Sequence, residues 1–172
     1  FTEANIMVHS YLMYGYPTQT VQETVDSLEM VRQLFELGII QSGFWHQFAL
    51  TAHSPVGLDP EEYGVMPNLK DISFANNDID FKDKTGIDHG IFSFGLKKSL
   101  FNFMHGIGFD MSLQEWFDFD IPQSTISPDY IYDCLQQEVV LKKDFEIQFE
   151  DFELFWYSKP ILGLQEHGLL VL

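Results

Sequence analysis

The feature that most constrains the fold is a largely hydrophobic stretch near the start of the chain, residues 5–14. A strand with one solvated face alternates apolar and polar side chains, whereas a strand of a parallel sheet is covered on both faces and has apolar residues at successive positions. This stretch is apolar at both odd and even positions and is rich in β-branched and aromatic side chains. It therefore predicts a buried parallel strand, which needs a crossover helix before the next strand.

A helix is predicted directly after that strand. Thr20 and Glu23 have the spacing of a capping box, and Gly38 can end the helix in a left-handed conformation. Apolar residues between these limits recur at helical spacing, namely Val25, Leu28, Val31, Leu34, Phe35 and Leu37. Residues 42–52 have the composition of a second strand. Strand, helix and strand together predict a right-handed βαβ unit.

The second part of the chain has a different composition. Residues 58–90 are rich in Pro, Gly, Asp and Asn and predict irregular chain with a short strand near 72–75. Helices are expected over 96–105, from Ser112 to 117, and over 129–138. Strands are expected over 145–149, 154–157, 161–165 and 169–172, with Gly168 in a turn. The predicted fold is α/β: a βαβ piece, residues 1–57, followed by an α+β region, residues 58–172, with a small antiparallel sheet.

The composition excludes several classes of protein. With 9 basic and 26 acidic residues, the net charge is −17, which argues against a nucleic-acid partner because such surfaces need Lys and Arg. A hydrophobic content of 45%, with 17 Phe, excludes a disordered acidic tail. No apolar run reaches the roughly 18 residues of a membrane span, so no membrane partner is expected. The single cysteine, Cys134, excludes an internal disulfide and is expected to be buried and unreactive; a cytoplasmic location is the default.

Two segments of the βαβ piece carry a resemblance to a known family. The segment Tyr14-Gly15-Tyr16-Pro17-Thr18, after a strand and before a helix with Glu23 and Thr24, resembles the fifth-strand segment of radical SAM enzymes. His53-Ser54-Pro55-Val56-Gly57 lies where that family has a Pro- and Gly-rich loop after its sixth strand. The similarity covers residues 4–57 and is nearest in character to large bacterial Fe–S oxidoreductases of the radical SAM class. It implies that residues 1–57 are part of a TIM-type barrel and that residues 58–172 are an accessory domain.

The same resemblance implies S-adenosylmethionine and a [4Fe–4S] cluster as cofactors of the parent enzyme, which makes a 5′-deoxyadenosyl radical. The family holds its cluster with a Cys-x-x-x-Cys-x-x-Cys loop, and Cys134 alone cannot replace it. The chain also starts at Phe1 and enters strand-like sequence at once. We therefore expect an inactive C-terminal fragment whose partners are the missing N-terminal part of the barrel and a small-molecule substrate. Some members carry an N-terminal cobalamin-binding domain, which leaves cobalamin use open.

The resemblance also indicates which residues would contact ligands, because barrel ligands lie at the carboxyl ends of the strands. On the first strand, Gly15 permits close backbone approach, and the expected residues on the SAM side and in the barrel lumen are Met13, Gly15, Tyr16, Pro17, Tyr11 and His9. On the second strand, either Phe44, His46 and Phe48 or Trp45, Gln47 and Ala49 face inward; the candidates are His46, Gln47 and, in the following loop, His53. His9 and His46 fit interior histidines with satisfied hydrogen bonds better than acids or ligands. No catalytic residue and no metal ligand is assigned to this chain.

The loop between the two regions contains many acidic residues. Asn76, Asp78, Asp80 and Asp83 have a spacing similar to that of a calcium loop, but no glycine falls at the required sixth position, so a calcium site is rejected. Asp88 and His89 are interpreted as solvated loop residues.

An acidic, Phe-rich protein-interaction module is the alternative function. Such a module should have a closed sheet, whereas a barrel fragment should leave the 5–14 strand with a free edge that pairs with the C-terminal sheet or with a second copy, giving a dimer.

Overall fold

The computed structural model describes residues 1–68, 77–137, 162–165 and 168–171. The chain divides into two compact units, Phe1–Gln137 and Glu138–Leu172. The first unit is a mixture of helices and small two-stranded sheets, so the predicted mixed α/β class is confirmed. Contacts of this unit run across the domain boundary predicted after Gly57.

The predicted βαβ unit is present at the start of the first unit. Strand β1 (His9–Tyr14) runs parallel to strand β2 (Ser42–Gln47), with His9 opposite Ser42 and Tyr14 opposite Gln47. Helix α1 (Val21–Glu36) connects the two strands. A short 3₁₀ turn, Thr2–Ala4, precedes β1.

Helix α1 begins and ends at the residues that the sequence indicates. The Thr20 hydroxyl accepts a hydrogen bond from the Glu23 amide, and the Glu23 carboxylate accepts one from the Thr20 amide at 2.7 Å, so the predicted capping box is confirmed. At the other end Gly38 adopts a φ of +67°, the left-handed conformation expected after a helix. Local sequence signals therefore account for both ends.

One hydrophobic core covers a single face of the parallel pair. Tyr14 and Trp45 point into this core, where they meet side chains from α1, from helix α3 (Ser93–Met104) and from the 3₁₀ turn Leu113–Trp116. The buried members include Leu28, Val31, Phe92, Leu96, Phe103 and Trp116. The predictions of helix at 96–105 and of a short helix capped by Ser112 are confirmed. The opposite face of β1 and β2 is exposed, contrary to the prediction that both faces are covered.

A second, smaller core follows the parallel pair. Strand β3 (Leu50–Thr51) pairs antiparallel with β5 (Asp78–Ile79), and β4 (Val65–Pro67) pairs antiparallel with β6 (Phe81–Asp83). Leu50, Val56, Val65 and Ile79 form its buried centre. Between β3 and β4 the chain forms a one-turn helix, α2 (Pro55–Leu58), where the sequence indicated only a loop. The strand predicted at 72–75 lies outside the described residues.

Buried polar side chains on α1 form hydrogen bonds with later segments of the chain. Arg32 donates to both carboxylate oxygens of Glu29 and also to the Phe109 carbonyl, while Gln33 donates to Glu29 and to the Ser127 carbonyl. This network places residues 109–131 against α1 and leads into helix α4 (Tyr130–Gln136). The helix predicted over 129–138 is therefore present in a slightly shorter form.

The second unit contains a hairpin within its described residues. Strands β7 (Leu162–Gln165) and β8 (Gly168–Val171) are antiparallel, which confirms the predicted terminal strands. Gly168 pairs with Gln165 and so opens β8, whereas the sequence had suggested that it lies in the turn. The strands predicted at 145–149 and 154–157 lie outside the described residues.

Two further observations bear on the predicted architecture. Across the described residues, β1 and β2 pair with each other and with no further strand, so the barrel to which they were assigned stays a prediction. In the same parts of the chain, no helix combines the length and the apolar character needed to cross a membrane.

Candidate functional site

A cleft of about 780 Å³ opens at the carboxyl ends of β1 and β2. Its wall combines the ends of the parallel strands with β5, β6 and the 3₁₀ turn His89–Phe92. We call it the strand-end cleft; the lining residues that matter below are Gly15, Gln47, Phe48, Phe81, Asp83 and His89. Its position is the one at which parallel α/β folds bind ligands.

His89 is the buried polar residue of the strand-end cleft. Only 6% of its surface is exposed, and neither ring nitrogen has a hydrogen-bond partner among the described residues. Asp88 fixes the turn that carries it, because its carboxylate accepts a hydrogen bond from the Gly90 amide at 3.0 Å. The interpretation of His89 as a solvated loop residue is therefore wrong, since the turn directs its side chain inward and leaves Asp88 exposed.

Asp83 lies beside His89 and is also shielded from solvent. Its Oδ1 accepts hydrogen bonds from the Thr85 hydroxyl at 2.6 Å and from the Thr85 and Gly86 amides at 2.9 and 3.1 Å. Its Oδ2 is 3.9 Å from His89 Nε2. Burial acts to raise the pKa of Asp83, but these hydrogen bonds and the positive charge that His89 can carry outweigh it and lower the pKa. A buried ionised carboxylate therefore faces an imidazole with free hydrogen-bonding capacity.

Gly15 is required by this arrangement. Its φ is +76°, and a Cβ built on it would lie 3.0 Å from the His89 Cβ. The sequence indicated that Gly15 lets a ligand approach the backbone, but here the group that approaches is His89. Tyr16 packs edge-on against Phe48 with ring centroids 5.2 Å apart, and Pro17 is fully buried.

The exposed face of the parallel pair brings together most of the other predicted residues. His9, Tyr11 and Met13 of β1 lie on the same face as Phe44 and His46 of β2, and we call this set the open face. Tyr11 is 82% exposed and Met13 52%, which is unusual for apolar side chains in mid-strand. Ring centroids follow one another at 5.9 Å from His9 to Tyr11, 6.0 Å to Phe44 and 6.3 Å to His46.

The two alternatives left open for β2 are distinguished by burial. Trp45 is 2% exposed and packs edge-on against Tyr14 in the core, so the set containing Phe44 and His46 is the one that shares the open face. Gln47 lies at the end of the strand, where its side-chain carbonyl accepts a weak hydrogen bond from the Tyr14 hydroxyl at 3.4 Å. It lines the strand-end cleft beside His89.

The loop candidate, His53, is exposed and precedes the cap of α2. The neighbouring Ser54 accepts a hydrogen bond from the Gly57 amide and donates one to the Thr51 carbonyl at 2.8 Å. A Cβ on Gly57 would lie 2.1 Å from that same carbonyl oxygen. The Pro and Gly of this segment are therefore explained by α2 and its packing.

Metal binding has little support within the described residues. No group of three or more His, Cys, Asp or Glu side chains in the described parts of the chain is arranged to hold a metal ion. Cys134 is exposed on α4, so the prediction that it is buried is wrong; the apolar neighbour Leu135 is 60% exposed as well. One exposed thiol does not fit the ligand set of an iron–sulfur cluster.

Sequence reasoning missed the pairing of His89 with Asp83. Both residues lie in the Gly- and Asp-rich segment that is interpreted as irregular, and the contact that buries His89 comes from Gly15, in the turn after β1. The available signal was the Asp-His-Gly order, in which Asp88 can cap a turn at Gly90. Comparison with known proteins gives no guide to this site: no family model, no curated protein and no solved structure matches the chain.

Proposed function

We propose that this chain is the C-terminal part of a radical SAM enzyme, in which β1, α1 and β2 complete the barrel and residues 58–172 form an accessory region. The observation that carries the proposal is the open face. A parallel pair whose outer face is packed on helices and whose inner face presents exposed Tyr11, Met13 and Phe44 has the form of two adjacent strands of a larger parallel sheet.

The energetics of a two-stranded parallel sheet support this proposal. Isolated two-stranded sheets are marginal in water, and parallel sheets occur almost only with both faces covered. Tyr11, Met13 and Phe44 form a contiguous apolar patch of the kind that marks an interaction surface. Further barrel strands beside β1 and β2 would cover both this patch and the unpaired strand edges.

The turn after β1 supports the same assignment. In the resemblance to radical SAM enzymes, a Gly-x-Pro turn is followed by Thr and an acidic helix start, and here Gly15, Pro17, Thr20 and Glu23 form a turn and a capping box in that order. The His53–Gly57 segment ends the second strand in the corresponding place. The strand-end cleft then lies where the barrel would hold its substrate.

The cofactors of such an enzyme would be held mainly outside this chain. In the family, a [4Fe–4S] cluster and S-adenosylmethionine supply the radical chemistry; with only Cys134, this chain does not fit the cluster, and we assign it no step through that group. Its own residues would instead shape the lumen through His9, Tyr11, Met13 and His46. Cobalamin, where a member uses it, would be held by a preceding domain.

The first test is made on the complete gene and protein. The upstream sequence should encode Cys-x-x-x-Cys-x-x-Cys, and the full-length protein reconstituted anaerobically should form 5′-deoxyadenosine in the presence of reductant. Absence of that cysteine motif refutes the assignment. A full-length protein that has the motif but forms no 5′-deoxyadenosine also counts against it.

A variant pair tests the role of the open face. Tyr11→Lys in the full-length protein should abolish 5′-deoxyadenosine formation, because it would bury a charge in the lumen. Phe94→Lys should not, since Phe94 is similarly exposed, at 76%, but lies on the outer helix α3. Equal effects of the two substitutions would argue against a barrel lumen at this face.

The interaction-module alternative makes a different prediction for the chain alone. A self-contained module should be monomeric with a closed sheet, whereas exposed strands should associate into a dimer. The parallel pair has unpaired edges among the described residues, which favours the barrel proposal. Light scattering of the 172-residue chain distinguishes the two: a monomer at all concentrations, with every amide of β1 protected from hydrogen exchange, would favour the module.

A further inference from the structure

His89 has hydrogen-bonding capacity that the described residues leave unused. Both ring nitrogens are buried without a partner. Buried polar groups are almost always paired, because leaving one unpaired costs the free energy of its desolvation. This free-energy cost destabilises the folded chain unless a ligand in the strand-end cleft supplies the missing hydrogen bond.

The position of Asp83 indicates whether His89 needs a hydrogen-bond donor or an acceptor from a ligand. An ionised carboxylate can only accept, so its Oδ2, 3.9 Å from His89 Nε2, favours a proton on that nitrogen. In the neutral form of the ring with its proton on Nε2, Nδ1 is the free acceptor. Such distances are commonly long in ligand-free sites and shorten when a ligand binds. The group that completes the site must therefore carry an N–H or O–H donor.

The charge of the cleft limits the class of ligand that can bind there. Among the described residues, four carboxylates line the cleft, those of Asp78, Asp80, Asp83 and Asp88, together with one cation, Lys82. An anionic ligand would meet net repulsion there, whereas an ammonium group would be attracted and would bring the required N–H donor. Apart from Gln47 and His89, the remaining wall is mostly apolar, with the Phe48 and Phe81 rings 5.6 Å apart.

We propose that the strand-end cleft binds a small organic amine, with an apolar body against the aromatic wall and its ammonium group hydrogen-bonded to His89. The volume of about 780 Å³ falls within the range of small-molecule sites. His89 is the binding residue, and Asp83 is a positioning residue that sets the tautomer of the ring. The inference rests on the proposed function only for the role of this amine as the enzyme's substrate; binding itself is a property of this chain.

The experiment uses three probes that share one aromatic body and differ in charge: phenethylamine, 2-phenylethanol and phenylacetate. The 172-residue chain, labelled with ¹⁵N in its imidazole rings, is titrated with each probe at pH 7.5. The resonances of His89 among the six histidines are assigned as those missing in His89→Gln. Phenethylamine should give a saturable shift of the His89 ring nitrogens, 2-phenylethanol a weaker one, and phenylacetate none.

Two variants separate the roles of the acidic residues, and a third serves as a control. Asp80→Asn removes one exposed carboxylate and should weaken phenethylamine binding roughly two- to fivefold while leaving the tautomer of His89 unchanged. Asp83→Asn should change the ¹⁵N shifts of His89 even without a probe, because an amide no longer favours a proton on Nε2. His105→Gln, at the exposed C-cap of α3, should alter neither quantity.

The proposal is overturned if phenylacetate binds as well as phenethylamine, or if no probe moves the His89 resonances. An unchanged His89 spectrum in Asp83→Asn would refute the positioning role of Asp83. These outcomes are independent of whether the full-length protein forms 5′-deoxyadenosine. A failure of this inference is therefore distinguishable from a failure of the proposed function.

Discussion

Glu29→Gln tests how the buried polar network on α1 stabilises the first unit. Glu29 accepts hydrogen bonds from Arg32 at 2.7 and 2.9 Å and from Gln33 at 2.8 Å. A glutamine at this position has nearly the same shape but has no charge and only one acceptor oxygen. The substitution therefore removes the negative charge beside Arg32 and at least one of its two hydrogen bonds to residue 29, while Glu36 and the Phe109 carbonyl remain as partners.

The expected loss of stability follows from burial. Removing one partner of a buried ion pair costs about 3–5 kcal/mol, because the remaining charge stays desolvated. The side chains of Arg32 and Glu29 are 11% and 10% exposed, so this regime applies. Since Arg32 keeps two other partners, we expect a loss below that range, a decrease of about 2–3 kcal/mol in the free energy of unfolding.

Glu36→Gln is the matched control on the same guanidinium. Glu36 also binds Arg32 at 2.7 Å, but its side chain is 47% exposed, so its loss should cost about 0–1 kcal/mol. Urea unfolding can be followed by the fluorescence of the buried Trp45 and Trp116. With a slope of about 2 kcal/mol per molar urea, Glu29→Gln should lower the midpoint by about 1–1.5 M. Equal midpoint shifts in the two variants would refute the reasoning.

Three further outcomes are expected. Gly57→Ala should destabilise the unit by about 1–3 kcal/mol in urea unfolding, because its Cβ would fall against the main-chain oxygen of Thr51. The loss should exceed that of Gly38→Ala, whose Cβ meets no atom within 4 Å and whose cost is confined to its φ of +67°; the reverse order would contradict this. Burial raises the pKa of Asp26, but hydrogen bonds from Thr125, Ser124 and Gln22 lower it below its ordinary 3.8. The stability from Asp26 is therefore complete above pH 3.8 and lost as the pH falls through the lower folded pKa; Asp26→Asn should lack this component of the acid profile, and an unchanged profile would count against it. Cys134 should react with a thiol reagent in the native chain as fast as in urea; slow native labelling would show that it is covered.

The parts of the fold that the sequence predicts are those fixed by neighbours in the chain. Thr20 and Glu23, like Ser112 and Glu115, form capping boxes within four residues of each other, and both helix starts were predicted correctly. The parallel pairing of β1 and β2 follows from the length of the connecting helix. Each of these features depends on short-range contacts that composition and spacing express directly.

The parts that the sequence could not predict depend on contacts between distant residues. Phe44 and Trp45 are both large and aromatic, so only the helices packed on one face decide that Trp45 is buried. His89 is buried because the turn after β1 brings Gly15 against it, and nothing near His89 in the sequence signals that contact. Helix α2 was missed because four residues are too few to show a helical period.

In the part of the chain that the structure describes, β1 and β2 each have an unpaired edge, which affects the behaviour of the chain in concentrated solution. Each copy carries a net charge of −17, so two copies repel one another over a distance set by ionic strength, about 10 Å at 0.1 M salt. Added salt shortens that distance until the strand edges of two molecules can meet and form main-chain hydrogen bonds. The acidic surface thus acts as a colloidal barrier, and the solubility of this chain is set by the balance between charge repulsion and edge-to-edge pairing.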